Sequence, residues 1–365
     1  MEHTLSQRAL NRATLSRQML LAREKVKVAA AVERLAGMQA QIPKPPFIGL
    51  WSRLENFERE DLRRAVEKHE VVRATMMRAT LHLMSRRDYL AFRAPLQPML
   101  SRGASSILRD RAKFDLDALL RDATELFEER PRTFDELRRH LIALHPKQDE
   151  RAMGYAVRMH LPLIQVPEDT TWSWPASATF AVAETWLGEP IAKDAKPNDL
   201  VLRYLAAFGP ASVADFQTWS GLQAMKPVFE QLRPKLVTFR DERKRELFDL
   251  PKAPRPDEAT PAPVRFLPDY DNLLLAHADR SRVIADDHRK RIFTANLRIW
   301  ATFLVDGVVA GAWTVIRKKK SAVVKLDAFG KLTKKVRDEV AKEGEAVLRF
   351  AEEDAETFGV EFAAG

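Results

Sequence analysis

The 365-residue chain contains no cysteine, which excludes disulfides, thiolate metal sites, iron–sulfur clusters and a cysteine nucleophile. It has no Gly-rich phosphate loop of either common type, so a nucleotide-driven or nicotinamide reaction is not expected. The eight histidines are scattered, and the nearest pair, His140 and His145, has no matching carboxylate pattern. No metal and no cofactor are therefore expected. No stretch approaches eighteen uncharged apolar residues, and the first ten residues lack the apolar core of a secretory signal; a cytoplasmic chain with no membrane partner is expected.

What remains is ordinary globular material. Apolar residues make up 45% and charged residues 30%, enough for packed cores and, at this length, for more than one unit. The formal charge of +9 is unevenly spread: the first 114 residues hold 22 Lys and Arg against 11 Asp and Glu, a net +11, leaving −2 for the rest. A basic region confined to one third of a chain attracts phosphate by counterion release. Basic residues that alternate with acids, as Arg63, Arg64 and Lys68 do with Asp61 and Glu67, only solvate a helix face. Arg73, Arg78, Arg86 and Arg87 flank a short β-like run instead, and are read as groups able to reach a duplex backbone.

One pattern recurs. Pro197-Asn198-Asp199 opens an apolar-periodic helix to Phe208, Ser212 caps a second helix to Trp219, and a third runs from about Gln223 to Arg233. Leu236–Phe239 and Glu246–Asp249 then read as a two-stranded ribbon. Three helices followed by a ribbon is the winged-helix plan. The same order is traced at 115–167 (helices 117–129, 134–144 and 150–161, strand 163–166) and less cleanly at 4–85 (helices 6–22, 25–36 and 60–68, strands 71–76 and 78–84). The five prolines of 251–263 mark a linker. Beyond it, Asp306-Gly307 supplies a two-residue hairpin turn between 299–305 and 308–316, and 331–357 reads as a closing amphipathic helix. The expected fold class is mainly α with β wings (α+β): winged-helix units at 1–114, 115–196 and 197–250, a linker at 251–263, and a small β-rich domain with a terminal helix at 264–365.

Between Gly37, a helix stop, and Pro43, which forces the residue before it to be extended, the chain should be extended. Met38, Ala40 and Ile42 would then face inward, while Gln39 and Gln41 project together from the other side. A carboxamide both donates and accepts, which suits holding a water molecule, but it is no strong general base. Such a pair assists only a reaction that is already easy.

The segments Gly37-Met38-Gln39-Ala40-Gln41, Pro46–Leu54, Met77–Leu83, Tyr204–Ala211, Trp219–Leu222, Phe266–Asn272 and His277–Arg280 together resemble the AlkZ-like DNA glycosylases, bacterial tandem winged-helix proteins, over nearly the whole chain. In that family a Gln, apolar, Gln motif is the catalytic feature, and a second branch has Asp at its last position; Gln39, Ala40 and Gln41 match the Gln branch. The resemblance implies excision of N7-alkylguanine, including bulky adducts and in some members interstrand cross-links, from double-stranded DNA at the nucleoid. It also implies three winged helices in a C-shaped array with a C-terminal β domain. A monomer is expected, since all modules lie in one chain.

The candidate catalytic residues are thus Gln39 and Gln41. Candidate DNA contacts are Arg73, Arg78, Thr80, His82, His277, Arg280 and Arg282, with Asp269 and Asp271 as electrostatic support for a cationic sugar, and Arg317–Lys320 as a further basic tract. The competing reading is a non-catalytic winged-helix DNA-binding protein or transcriptional regulator. The third-unit helix, with Pro227 in its first turns and few base-reading side chains, is a poor groove reader.

Overall fold

The computed structural model describes residues 4–108, 114–295 and 297–363. The recurring order is present: helices Pro197–Phe208, Val213–Ser220 and Lys226–Leu232 precede strands Val237–Asp241 and Glu246–Asp249. Helices Leu116–Glu129, Phe134–Leu144 and Glu150–His160 precede Leu163–Gln165 and Phe180–Val182. In the first third, Gln7–Arg17, Val28–Arg34, Pro45–Trp51 and Arg59–Glu67 precede Val71–Thr75 and Leu81–Ser85. Helix starts follow the capping residues: Ser212, Thr133 and Glu58 each open a reciprocal capping box. The helix Pro45–Trp51 went unread in the sequence because its Lys44-Pro45-Pro46 opening looks like a loop, although proline is at home in a first helical turn.

The units are not separate beads. Strands Met38–Gln39, Leu81–Ser85, Val71–Thr75, Leu163–Gln165 and Phe180–Val182 form one five-stranded sheet in that order, so the first ribbon pairs directly with the second. The expected boundary near residue 114 adjoins 109–113, which lie outside the described residues. Thr4–Leu5 pairs in parallel with Val237–Asp241, extending the third ribbon. The C-terminal sheet places Thr357–Phe362, Ser321–Ala328, Val308–Lys318, Thr302–Val305 and Arg265–Leu267 side by side. The expected terminal helix is shorter, Lys334–Ala351, and the chain continues into an edge strand. The helix ends at Ala351 where Glu352 leaves helical geometry (φ −136°, ψ 49°), and Phe358 and Phe362 pack on the C-terminal core.

The charge asymmetry has an internal explanation. Basic residues of the first third reach carboxylates of the C-terminal part: Arg17 with Asp249, Arg23 with Glu343, Lys44 with Glu352, Arg53 with Asp271, Arg59 with Glu353, and Arg8 and Arg12 with Asp306. Arg17 and Asp249 are both at most 1% exposed and bidentate, at 2.7 and 2.8 Å. Arg86 and Arg87, read above as backbone-reaching, pair with Glu189 and Glu33. Much of the positive field is therefore an intramolecular staple. The Asp306-Gly307 turn docks on the first helix, where Asn11 donates to the Gly307 carbonyl at 2.8 Å. A Cβ on Gly307 would meet Leu15 at 2.4 Å, so both the positive φ of +78° and the close approach require glycine.

His277 and Arg282 belong to this frame and not to a DNA-facing surface. Both are buried; His277 Nε2–H donates to the Phe208 carbonyl at 3.0 Å, and Arg282 to the Pro210 carbonyl at 3.0 Å and to Thr14. Asp215 ties the helix Val213–Ser220 to the same segment by accepting from the Ala278 N–H at 2.8 Å. Burial, reinforced by the Arg282 charge, pushes His277 down to about 3 against the pull of Asp215. A base whose folded pKa lies below its unfolded value, about 6.5, stabilises the fold fully above that pH and progressively less below it. Urea unfolding should show a midpoint steady from pH 8 to 7 and falling below about pH 6.5, with the slope for each such histidine approaching about 1.4 kcal/mol per pH unit. His277→Asn should flatten part of that slope; an acid limb identical in the variant would contradict this assignment.

Candidate active site

The first five-stranded sheet presents the glutamine pair. The helix Val28–Arg34 is stopped by two left-handed residues, Ala36 and Gly37, and the Gly37 amide closes back on the Val32 carbonyl at 3.0 Å. A Cβ on Gly37 would lie 2.3 Å from Met84 Sδ, so the chain enters the sheet only with glycine there. Met38 and Gln39 then pair with Leu83 and His82, and the Ala40 amide donates to Leu81 at 2.8 Å. The alternation read from the sequence holds for Met38 and Ala40, which are buried, and for exposed Gln41. It fails at two positions. Ile42 is 43% exposed because the chain is already leaving the sheet, and Gln39 is only 8% exposed because the loop Pro268–Asn272 closes over it.

Arg73 holds the motif from the neighbouring strand. Its Nε donates to the Ala40 carbonyl at 2.8 Å and an Nη to the Gln41 carbonyl at 3.1 Å, while its plane lies over Trp174. It is 3% exposed, and burial followed by repulsion from Arg158 lowers it to about 10. Arg73 is thus a support for the motif backbone. The sequence reading as a DNA contact is corrected, because burial and two carbonyl acceptors occupy its side chain.

Arg78 holds the motif from the side. It stands at the tip of the hairpin, in the turn Met77–Ala79, and donates to Gln39 Oε1 at 2.8 Å, to Asn272 Oδ1 at 3.1 Å and to the Trp219 carbonyl. His82 Nε2 lies 3.3 Å away. Since a guanidinium only donates, this nitrogen is the acceptor, and Nδ1–H donates to the Thr80 carbonyl at 3.0 Å. Burial and then Arg78 push His82 down to about 3, so the ring is neutral. Neither Arg78 nor His82 is free to meet a phosphate. Thr80, at the same tip, donates its hydroxyl to the Met77 carbonyl at 3.2 Å and is half-buried.

The covering loop carries groups that sequence reasoning left without a role. Asn272 bridges the two halves of the chain by accepting from Arg78 and donating to the Gly37 carbonyl at 3.1 Å. Tyr270 has φ +62°, a rare conformation for an aromatic residue, and lines the cleft over Gln39 with Gln18, Met38 and Asp269. The cleft is small, with a cavity volume of about 10 Å³, close to the minimum that holds one water molecule. Asp271 is a structural carboxylate, accepting from Arg53 at 2.9 Å and from the Leu273 amide at 3.0 Å. Asp269 is different: burial raises its pKa, and its cationic partner, Arg298, is 3.5 Å away. Only the spacing of Asp269, Tyr270, Asp271 and Asn272 in one turn-like run hinted at this loop.

Arg280 lies on the Arg78 side of the site. Its guanidinium stacks 4.7 Å over Phe293, which Arg289 also faces at 5.6 Å. Burial and then the Arg289 charge lower Arg280 to about 10, and burial followed by the Arg280 charge lowers Arg78 to about 10. Its Nε is buried without an acceptor. The structure therefore brings together Gln39, Gln41, Arg73, Arg78, Thr80, His82, Asp269 and Asp271, sets Arg280 at the edge, and leaves His277 and Arg282 in the frame. Arg317 and Lys320 pair with Asp354 and Glu356.

No helix among the described residues is long and apolar enough to cross a membrane. Comparison with known proteins gives a coherent result. An interstrand DNA cross-link repair glycosylase of Streptomyces sahachiroi is 25% identical over 330 residues, covering 83% of this chain and 86% of that protein. The solved structure of Streptomyces sahachiroi DNA glycosylase AlkZ superposes with a TM-score of 0.79 at 21% identity, covering 99% of this chain and all of that one. The profile of the family described as DNA glycosylase AlkZ-like matches residues 32–350, and with it the chain belongs to the AlkZ-like DNA glycosylases, hydrolases acting on N-glycosyl bonds.

Proposed function

We propose that this glycosylase releases N7-alkylguanine from double-stranded DNA, bulky adducts and interstrand cross-links included, with water placed by Gln39 and Gln41. The observation that carries the reading is the chemistry of the pair. Gln39, lining a narrow cleft, and Gln41, exposed two residues further on, are neutral, and among the described residues no carboxylate is hydrogen-bonded to either amide. An N7-alkylguanine is already cationic, so it departs without an enzyme acid and leaves an oxocarbenium-like sugar. Neutral amides suffice to hold the nucleophile. The water oxygen bonds to C1′ as the C1′–N9 pair passes to the purine and neutralises it, and the proton shed by the attacking water leaves to solvent. Asp269 supplies negative potential close to that developing sugar cation.

The same reading makes the three helix-and-ribbon units tandem winged helices at 1–114, 115–196 and 197–250, presenting one face to the duplex as a monomer. Arg280 and Arg289, stacked on Phe293 with no carboxylate partner among the described residues, serve as phosphate contacts beside the lesion. The cross-link substrate is supported by the name of the Streptomyces relative, and the water-holding role by the neutrality and placement of the pair.

Single-turnover excision from a duplex carrying one N7-methylguanine tests the catalytic assignment. Gln39→Ala and Gln41→Ala should each slow excision by about 10²-fold or more, the scale of losing one preorganised hydrogen-bonding group, with duplex affinity within about threefold of wild type. Equal losses of rate and affinity would count against it. Arg280→Ala with Arg289→Ala should do the reverse, weakening binding and flattening the slope of log affinity against log salt by roughly 0.9 for each phosphate lost; an unchanged slope would remove these two as phosphate contacts.

A further inference from the structure

We propose that Arg78 is a positioning residue that fixes the polarity of the glutamine pair, so that Gln39 meets the water as a hydrogen-bond donor and Gln41 as an acceptor. This rests on the water-holding role proposed above and assigns each amide its part in it.

The two ends of a glutamine amide look alike in shape, and their chemistry is told apart by their partners. Arg78 has only donors, and its Nη2 stands 2.8 Å from the Gln39 amide oxygen. The oxygen is therefore turned inward and the NH2 group is the end left for the cleft. Flipping the amide would set donor against donor in a place only 8% exposed. A hydrogen bond from a cation also draws charge from the amide and makes its remaining N–H groups better donors. Gln41 is in the opposite situation. Among the described residues its oxygen accepts only from the Leu81 amide, at a long 3.4 Å, and its side chain is exposed. That oxygen is available to accept a water hydrogen. One water can then take an N–H from Gln39 on one lone pair, give a hydrogen to Gln41, and keep its second lone pair for C1′.

Arg78 is built to hold this arrangement. Its acceptors come from four separate parts of the chain: Gln39, His82, Trp219 and Asn272. None is a carboxylate, and neutral His82 is kept an acceptor by its bond to Thr80. The backbone is held in a costly state to put it there. Arg78 and the following Ala79 have φ of +54° and +58°, where a two-residue hairpin turn normally uses Asn-Gly. Strain of this kind persists where the surroundings over-determine it. Gly221, itself at φ +80°, lets the neighbouring loop come close: a Cβ there would lie 3.5 Å from the Arg78 Cα and 2.9 Å from Met99.

The test compares two glutamate substitutions in single-turnover excision of N7-methylguanine. A carboxylate accepts but cannot donate, so Gln39→Glu should lose at least about 100-fold and Gln41→Glu less than about tenfold. Arg78→Met should slow excision about 10- to 100-fold, Arg78→Lys less, with duplex affinity within threefold. Added to Gln39→Ala, Arg78→Met should cost no more than about threefold further, because the residue acts through that amide; a merely structural role would multiply the losses. Equal or reversed losses in the two glutamate variants, or multiplicative losses in the double variant, would overturn the proposal while leaving the glycosylase reading intact. Wild-type protein that excises nothing would remove that reading, and this proposal with it.

Discussion

Two guanidiniums, Arg73 buried and Arg78 half-buried, carry the glutamine motif with no carboxylate partner among the described residues. Arg73 binds the main-chain carbonyls of Ala40 and Gln41, and Arg78 binds the side-chain oxygen of Gln39. Burying an unpaired cation is expensive, and it is tolerated only when every donor finds an acceptor. Here the acceptors are carbonyls, an amide and a neutral imidazole. The consequence is functional as well as structural: a carboxylate beside either arginine would have neutralised it more simply, but would also have placed a strong acceptor and a fixed anion against the amides. The site is polar and cationic in its supports, yet uncharged at the two amides themselves.

That arrangement is assembled from distant parts of the chain. The sheet brings Gln39 opposite His82, the hairpin tip brings Arg78 against Trp219 of the third unit, and the loop Pro268–Asn272 brings Asn272 back to Gly37. The salt bridges from the first third to the C-terminal part, with Arg17–Asp249 and Arg53–Asp271 buried among them, hold these pieces in one frame. The excess of basic residues near the N-terminus is in large part the counterpart of acids far along the chain. The proposed phosphate contacts, Arg280 and Arg289 stacked on Phe293, stand outside that set of salt bridges.

The third unit was legible in its first two helices and its ribbon, because Ser212, Gly209-Pro210 and Gly221 punctuate it with caps and stops whose physics is local, while its third helix starts three residues later than expected, at Lys226. So was the Asp306-Gly307 hairpin. Gln39 could be placed on an extended segment for the same reason, whereas Gln41 already lies in the bend that follows the two-residue strand. What lay beyond reach was everything set by long-range contact. Nothing local says that Arg73 turns under the motif, that His82 faces Arg78 instead of a groove, or that His277 and Arg282 close a core between the first helix and the third unit. Charge on the sequence suggested surface; the fold spent it inside. The edge strand Thr357–Phe362 was hidden in the same way, since it follows an amphipathic helix with no turn signal stronger than Asp354.

The central claim is that an uncharged pair of amides directs water, and no protein nucleophile, to the sugar of a pre-activated base. Its most direct measurement is mass-spectrometric recovery of the products from a duplex holding a single N7-methylguanine, run alongside borohydride trapping. The account predicts free 7-methylguanine in equal amount to alkali-labile abasic sites, with no protein trapped on DNA. Tight binding without released base, or a borohydride-trapped protein–DNA adduct, would contradict it.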